Sequence, residues 1–186
     1  KPIRFPDPVK EAFSSVDIDK IRCAFNDKDI RDRAIVEVLL SSGVRVEELR
    51  NLNISDISME KKEVIVRAGK GNKSRKTFIN DIARDYLRKY LETREDNLDI
   101  LFITQRGTRI STDNIRHILK NIEKTSGVKH IHPHRFRRTF ATDLYNKKMD
   151  VRKIQKLMGH SDINTTMAYI SASDRSIETE YEAICN

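Results

Sequence analysis

The sequence predicts a mainly α-helical domain that carries one small antiparallel β-sheet, an α+β arrangement. Three observations lead to this. Apolar residues recur at three- and four-residue spacing through most of the chain, the signature of amphipathic helices. The spacing drops to two only within residues 63–79. A glycine-rich, cationic stretch divides that alternating region into two strand-length halves, as in a hairpin.

Ile18, Ile21 and Phe25 form the first helical stripe, with Ser15 or Asp17 as its N-cap. Ile30, Ala34, Val38 and Leu39 form a second stripe that should stop at Gly43. A short third helix carries Val46, Leu49 and Leu52. Glu63 to Arg67 reads as a strand and Lys76 to Ile79 as its partner, with Ala68 to Arg75 as the cationic tip. Helices resume with Ile82, Tyr86, Leu87 and Leu91. Leu101-Phe102-Ile103 is a short buried segment. Ile115, Ile118, Leu119 and Ile122 make a stripe closed by Gly127, and Phe136, Phe140, Ala141 and Leu144 make another. Asp150 should cap a helix containing Val151, Ile154, Leu157 and Met158 that Gly159 stops. Ser161 to Ile170 reads as a short helical piece. Ile177, Tyr181 and Ile184 form a last stripe.

A chain of 186 residues suits one domain, or at most two small ones. No apolar run approaches the roughly 20 residues of a membrane span. Lys and Arg number 36 against 28 Asp and Glu, a formal charge of +8, which points toward a polyanionic partner but fits a basic protein with a solvated surface equally well. Cys23 and Cys185 make neither a disulfide framework nor a zinc set, in keeping with a cytoplasmic protein. The chain starts Lys1-Pro2-Ile3 rather than with Met, so the expectation is a fragment of a longer protein.

Four segments concentrate reactive side chains. His134 and Arg137 stand three apart just after Pro133, where a helix can begin. That spacing puts both on one face, although a solvated basic helix would look the same. Gly159 should fix the direction of His160, and Tyr169 follows nine residues later. Taken separately, these read equally as a helix-end histidine and a half-buried tyrosine. Arg45 sits just past Gly43, and Glu48 can reach back to brace it or cap the next helix. Lys70 lies at the hairpin tip, suited to a groove or a leaving oxygen, or simply to solvent. His130, His132 and His134 alternate, but Pro133 interrupts them and no Cys or acidic cluster completes a zinc set, so no metal is expected. No GK[ST] phosphate loop is present.

Together these residues resemble the tyrosine recombinase, or phage lambda integrase, family. The likeness runs in order from residue 14 to about 172. Ser41 to Leu49 looks like its first-arginine box, with Arg45 as catalytic arginine and Glu48 as acidic support. Gly69 to Arg75 looks like its β-hairpin, with Lys70 as catalytic lysine. His134 and Arg137 match its H-x-x-R box, Leu157 to His160 its L-x-G-H box, and Tyr169 its nucleophile position. One position departs: Arg138 stands where the family commonly has His.

The resemblance implies the recombinase catalytic-domain fold over residues 1–172, with 173–186 as a tail helix able to dock in trans, and an N-terminal core-binding domain outside this sequence. It implies attack by Tyr169 on a scissile phosphate, a 3′-phosphotyrosine, and strand exchange through a Holliday junction. Arg45, Arg137 and His160 would hold the phosphate, Lys70 would protonate the leaving oxygen, and His134 would accept or orient a proton near Tyr169. Lys73, Arg75, Arg135 and Arg138 are expected to contact DNA. No cofactor is needed. Double-stranded DNA, a homotetramer on paired sites and accessory DNA-bending proteins are the implied partners. Two rivals use similar residues or charge: a type IB topoisomerase that rejoins the same strand, and a catalytically silent DNA-binding module.

Overall fold

A computed structural model describes residues 12–67 and 74–170. Eight α-helices lie in these residues: α1 (Ser15–Cys23), α2 (Ile30–Ser42), α3 (Val46–Asn51), α4 (Asp81–Glu92), α5 (Thr112–Ser126), α6 (Pro133–Asn146), α7 (Val151–Met158) and α8 (Ile163–Ile170). Three strands, β1 (Ile57–Ser58), β2 (Glu63–Val66) and β3 (Arg75–Phe78), form an antiparallel sheet in sequential order. Val64 faces Thr77 and Val66 faces Arg75 across the hairpin. The mainly helical α+β class is therefore what the chain adopts. No helix among the described residues is long and apolar enough to cross a membrane.

Local chemistry accounts for most boundaries. Asn80, Ser111 and Asp150 cap α4, α5 and α7 by accepting backbone N–H bonds, and Pro133 opens α6. The N-cap of α1 is Ser14, in a reciprocal pair with Asp17, rather than Ser15 or Asp17. Asp17 fills the third position, reaching back to the Ser14 N–H. Phe25 falls beyond that helix. The strand β1 has no counterpart in the sequence reading: two residues are too short to show a period of two. Residues 171–186, and so the expected tail helix, lie outside the described residues, as do Lys70 and Lys73 at the hairpin tip.

Two apolar clusters form the interior. The larger includes Ile35, Leu39, Leu49, Leu87, Leu101, Phe102, Ile115 and Phe136. The smaller gathers Phe140, Ala141, Ile154, Met158 and Ile170, with Leu157 and Tyr169 packed against it. Helix α6 spans both, packing on α2 at one side and on α7 and α8 at the other. Gly43 lies at the seam. Its φ of 62° suits glycine, and a Cβ there would stand 2.3 Å from the Phe140 ring. The segments that carry the candidate functional residues converge on this seam.

Candidate functional site

Arg45 begins where α2 has stopped. The left-handed Gly43 turns the chain, Val44 is buried, and Arg45 becomes the N-cap of α3. Glu48 then does both things the sequence allows. One carboxylate oxygen accepts the Arg45 backbone N–H at 2.7 Å, and the other accepts the Arg45 guanidinium at 2.9 Å.

Glu48 holds a second cation as well. Both terminal nitrogens of Arg75 donate to it at 2.7 Å, a bidentate fork. Arg75 stands in β3 and its Nε donates to the Leu157 carbonyl at 2.9 Å. Arg75, expected to contact DNA, is thus largely buried and engaged within the fold. Arg135 is similarly engaged. Its guanidinium lies 4.1 Å from the Phe13 ring centroid and donates to the Lys129 carbonyl at 2.6 Å and to Asp17 at 3.3 Å.

Arg137 is 2% exposed, and its two terminal nitrogens donate to the carbonyls of Gly43 and Met158. The end of α7 thereby shows a simple rule. The carbonyls of Leu157, Met158 and Gly159 accept from Arg75, Arg137 and Arg45 respectively, the last at 3.2 Å. Carbonyls at a helix C-terminus lack intrahelical donors and carry partial negative charge. Here that charge fixes three arginines side by side. Gly159, at φ 63°, makes the turn; a Cβ on it would come within 2.8 Å of the Arg75 side chain.

The same turn delivers His160, which is 9% exposed. Its Nδ1 is 2.8 Å from the Thr166 hydroxyl, and its ring meets the Tyr169 ring edge-on at 5.5 Å. Burial, then the charges of Arg137, Arg45 and Arg75, push the His160 pKa down to about 4. The imidazole is therefore neutral near pH 7 and offers a hydrogen bond, not a positive charge. Burial and the adjacent Arg45 also lower Arg137, to about 10, which leaves it charged at neutrality. Burial alone would raise Glu48, but the Arg75 fork and the Arg45 bonds outweigh it and hold the carboxyl at about 2. Two guanidinium groups thus share the Glu48 carboxylate while Arg137 is held by backbone carbonyls, and the cluster has an excess of positive charge.

Tyr169 is half-buried near the end of α8. Its carbonyl accepts from the Thr142 hydroxyl at 3.3 Å, and the Arg138 guanidinium lies over its ring at 5.3 Å. His134 is exposed on the first turn of α6, ahead of Arg137. The structure thus brings together Arg45, Glu48, Arg137, His160 and Tyr169.

Residues 12–176 match the model of the phage integrase family. The chain belongs to that family. It is 41% identical over 157 residues to the tyrosine recombinase XerC of Leptospira interrogans, covering 82% of this chain and 50% of that protein. It is 36% identical over 172 residues to the tyrosine recombinase XerA of Thermococcus kodakarensis, covering 91% of this chain and 61% of the relative. The chain therefore spans about half the length of the curated relatives it matches. A crystal structure of XerA recombinase superposes with a TM-score of 0.84 at 32% identity, covering 98% of this chain and 66% of that one. The Tn1549 transposon integrase, at 22% identity and a TM-score of 0.76, shares the fold, with 96% of this chain and 68% of that one covered.

In this integrase-family domain two contributors escape the sequence reading. Thr166 is fully buried against His160, and Arg75 braces Glu48. The Thr-Thr pair ahead of Tyr169 was the available signal for the first. Nothing local marks the second, because Glu48 and Leu157 lie 27 and 82 residues from Arg75.

The shifts set the pH response. His160 has its folded pKa below the ordinary 6.5, so its contribution is complete above that value and is lost as pH falls toward about 4. Glu48 lies below the ordinary 4.5, so its contribution is lost as pH falls from there toward about 2. Both act in one direction: acid destabilises. Thermal melts across pH 3 to 8 should show Tm falling from about pH 6.5 downward. His160→Gln should flatten the upper part of the fall and Glu48→Gln the lower part. A wild-type Tm that does not change between pH 7 and 4 would contradict the burial of a neutral His160.

Proposed function

We propose that this chain is the catalytic domain of a site-specific DNA recombinase that cuts and rejoins strands through Tyr169. The observation that carries the reading is the cluster of Arg45, Arg75 and Arg137 on successive carbonyls at the end of α7, with neutral His160 and Tyr169 beside it. Such a preorganised cationic pocket suits a phosphodiester, whose charge grows on the non-bridging oxygens during attack. The relatives named as tyrosine recombinases support the same reading.

In the proposed reaction the Tyr169 oxygen attacks the scissile phosphorus. A 3′-phosphotyrosine forms and the 5′-oxygen leaves with a proton from Lys70. Arg45 and Arg137 bind the non-bridging oxygens, where a planar fork is better matched than an ammonium. His160 donates a hydrogen bond to the same phosphate. His134 accepts or orients the phenolic proton. The 5′-hydroxyl of a second strand then attacks the phosphotyrosine, so the bond energy is conserved and neither metal nor nucleotide enters. Glu48 supports Arg45. Lys73 adds a further contact to the DNA backbone. Double-stranded DNA, a homotetramer on paired sites, docking of residues 173–186 on a neighbour, accessory DNA-bending proteins and a cytoplasmic location belong to this proposal.

The test is capture of the covalent adduct. The protein is incubated with fragmented genomic DNA from its source and quenched in detergent, and the attached DNA is sequenced. The expected result is enrichment of one short sequence, with the attached nucleotide on Tyr169 by peptide mapping. A duplex carrying that sequence should then yield exchanged strands. Relaxation of supercoiled DNA without exchange would instead favour topoisomerase chemistry, and no adduct at all would leave a DNA-binding module.

A further inference from the structure

The backbone of α8 does not by itself aim the Tyr169 side chain. Helix α6 grips this residue at two points. The Thr142 hydroxyl bonds the Tyr169 carbonyl, and the Arg138 guanidinium covers the ring. Arg138 and Thr142 are four residues apart and so share one helix face. Arg137, one residue earlier, is rotated by about 100° and points to Gly43 and Met158 instead. Arg138 Nη1 is buried and has no hydrogen-bond partner among the described residues. A buried donor without an acceptor is unfavourable. Attraction between the guanidinium and the ring face opposes that cost and keeps the group in place. The ring also meets His160, with centroids 5.5 Å apart and the two planes at 69°.

We infer that Arg138 is a positioning residue for Tyr169: together with the His160 contact it holds the ring and sets the direction of the hydroxyl before DNA is bound. The inference rests on the reading of Tyr169 as nucleophile. Its consequence is kinetic, because in-line attack depends on the alignment of oxygen and phosphorus, and a small misplacement slows the step without weakening binding. This differs from a phosphate contact, which would act on affinity and on its salt dependence.

The test compares R138M, R138K and wild type on a nicked duplex that carries the sequence identified by adduct capture. Single-turnover cleavage and DNA affinity are measured over a range of salt. R138M should cleave about tenfold more slowly, in line with loss of one desolvated cation–ring contact, with affinity within about twofold of wild type. R138K, which keeps a cation over the ring, should recover to within about threefold. Should R138M fail to fold, R138Q carries the same expectation, being polar and uncharged. Three results would overturn the inference: wild-type cleavage by R138M, equal defects in R138K and R138M, or a loss of affinity with a shallower salt slope. The last would make Arg138 a phosphate contact. Absence of cleavage by wild type itself would count against the nucleophile reading and is distinguishable from all three.

Discussion

Replacing Tyr169 with Phe is expected to remove the covalent protein–DNA adduct completely while leaving DNA binding within about twofold of wild type. The substitution takes away one oxygen and keeps the ring. The edge contact with His160 at 5.5 Å and the Arg138 contact at 5.3 Å both involve the ring, so both survive. The Thr142 bond goes to the backbone carbonyl and is also retained. Helix α8 therefore stays docked on α6 and α7, and the arginine cluster is untouched. Loss of the nucleophile is then the sole change, and without it no phosphotyrosine can form. A denaturing gel of protein incubated with a nicked duplex reads the outcome directly. An adduct that persists in Tyr169→Phe would move the nucleophile to another residue, with Tyr181 the first to examine. Equal melting temperatures for the two proteins would show that the loss is chemical.

How far the sequence foretells this arrangement depends on the distance over which each interaction acts. Helix starts and stops are local, and they are legible: Pro133 opens α6, Asp150 caps α7, and Gly43 and Gly159 end α2 and α7 in left-handed turns. Glu48 reaching back to Arg45 is a three-residue event and is equally readable. The same holds for the spacing of His134 and Arg137. What a linear reading misses is which cations turn inward. Arg75 and Arg135 carry the same charge as Lys73, and the family resemblance alone gives all three one expected role at DNA. Arg75 in fact meets Glu48 and Leu157, and Arg135 meets Phe13, contacts made only once the chain has folded. The role of His160 is legible only in part. Its position follows from Gly159, but its neutrality depends on burial and on three arginines drawn from three different segments.

Arg137 is the position at which stability and chemistry should fail together. It is 2% exposed, and it donates to the carbonyl that ends α2 at Gly43 and to the one near the end of α7 at Met158. It thereby ties the larger apolar cluster to the smaller one. Arg137→Ala leaves two buried carbonyls without donors, at about 1–3 kcal/mol each, and the cavity left by the side chain adds to this. A total of about 3 kcal/mol corresponds to a Tm lower by roughly 6–12 °C for a chain of this size. Cleavage should fall by about 10²–10³, the usual result of deleting one donor to developing charge. Arg137→Lys keeps the charge but reaches only one carbonyl, so its Tm loss should be smaller while its cleavage stays close to the Ala variant. Arg45→Ala provides the contrast. Its side chain is 43% exposed, and Glu48 keeps Arg75 as a partner. That variant should melt within about 2 °C of wild type yet lose a similar factor in cleavage. Melting curves and single-turnover rates on the three variants separate the two roles. An Arg137→Ala protein that melts like wild type would refute the tie between the clusters, and an Arg45→Ala protein that cleaves normally would remove Arg45 from the phosphate.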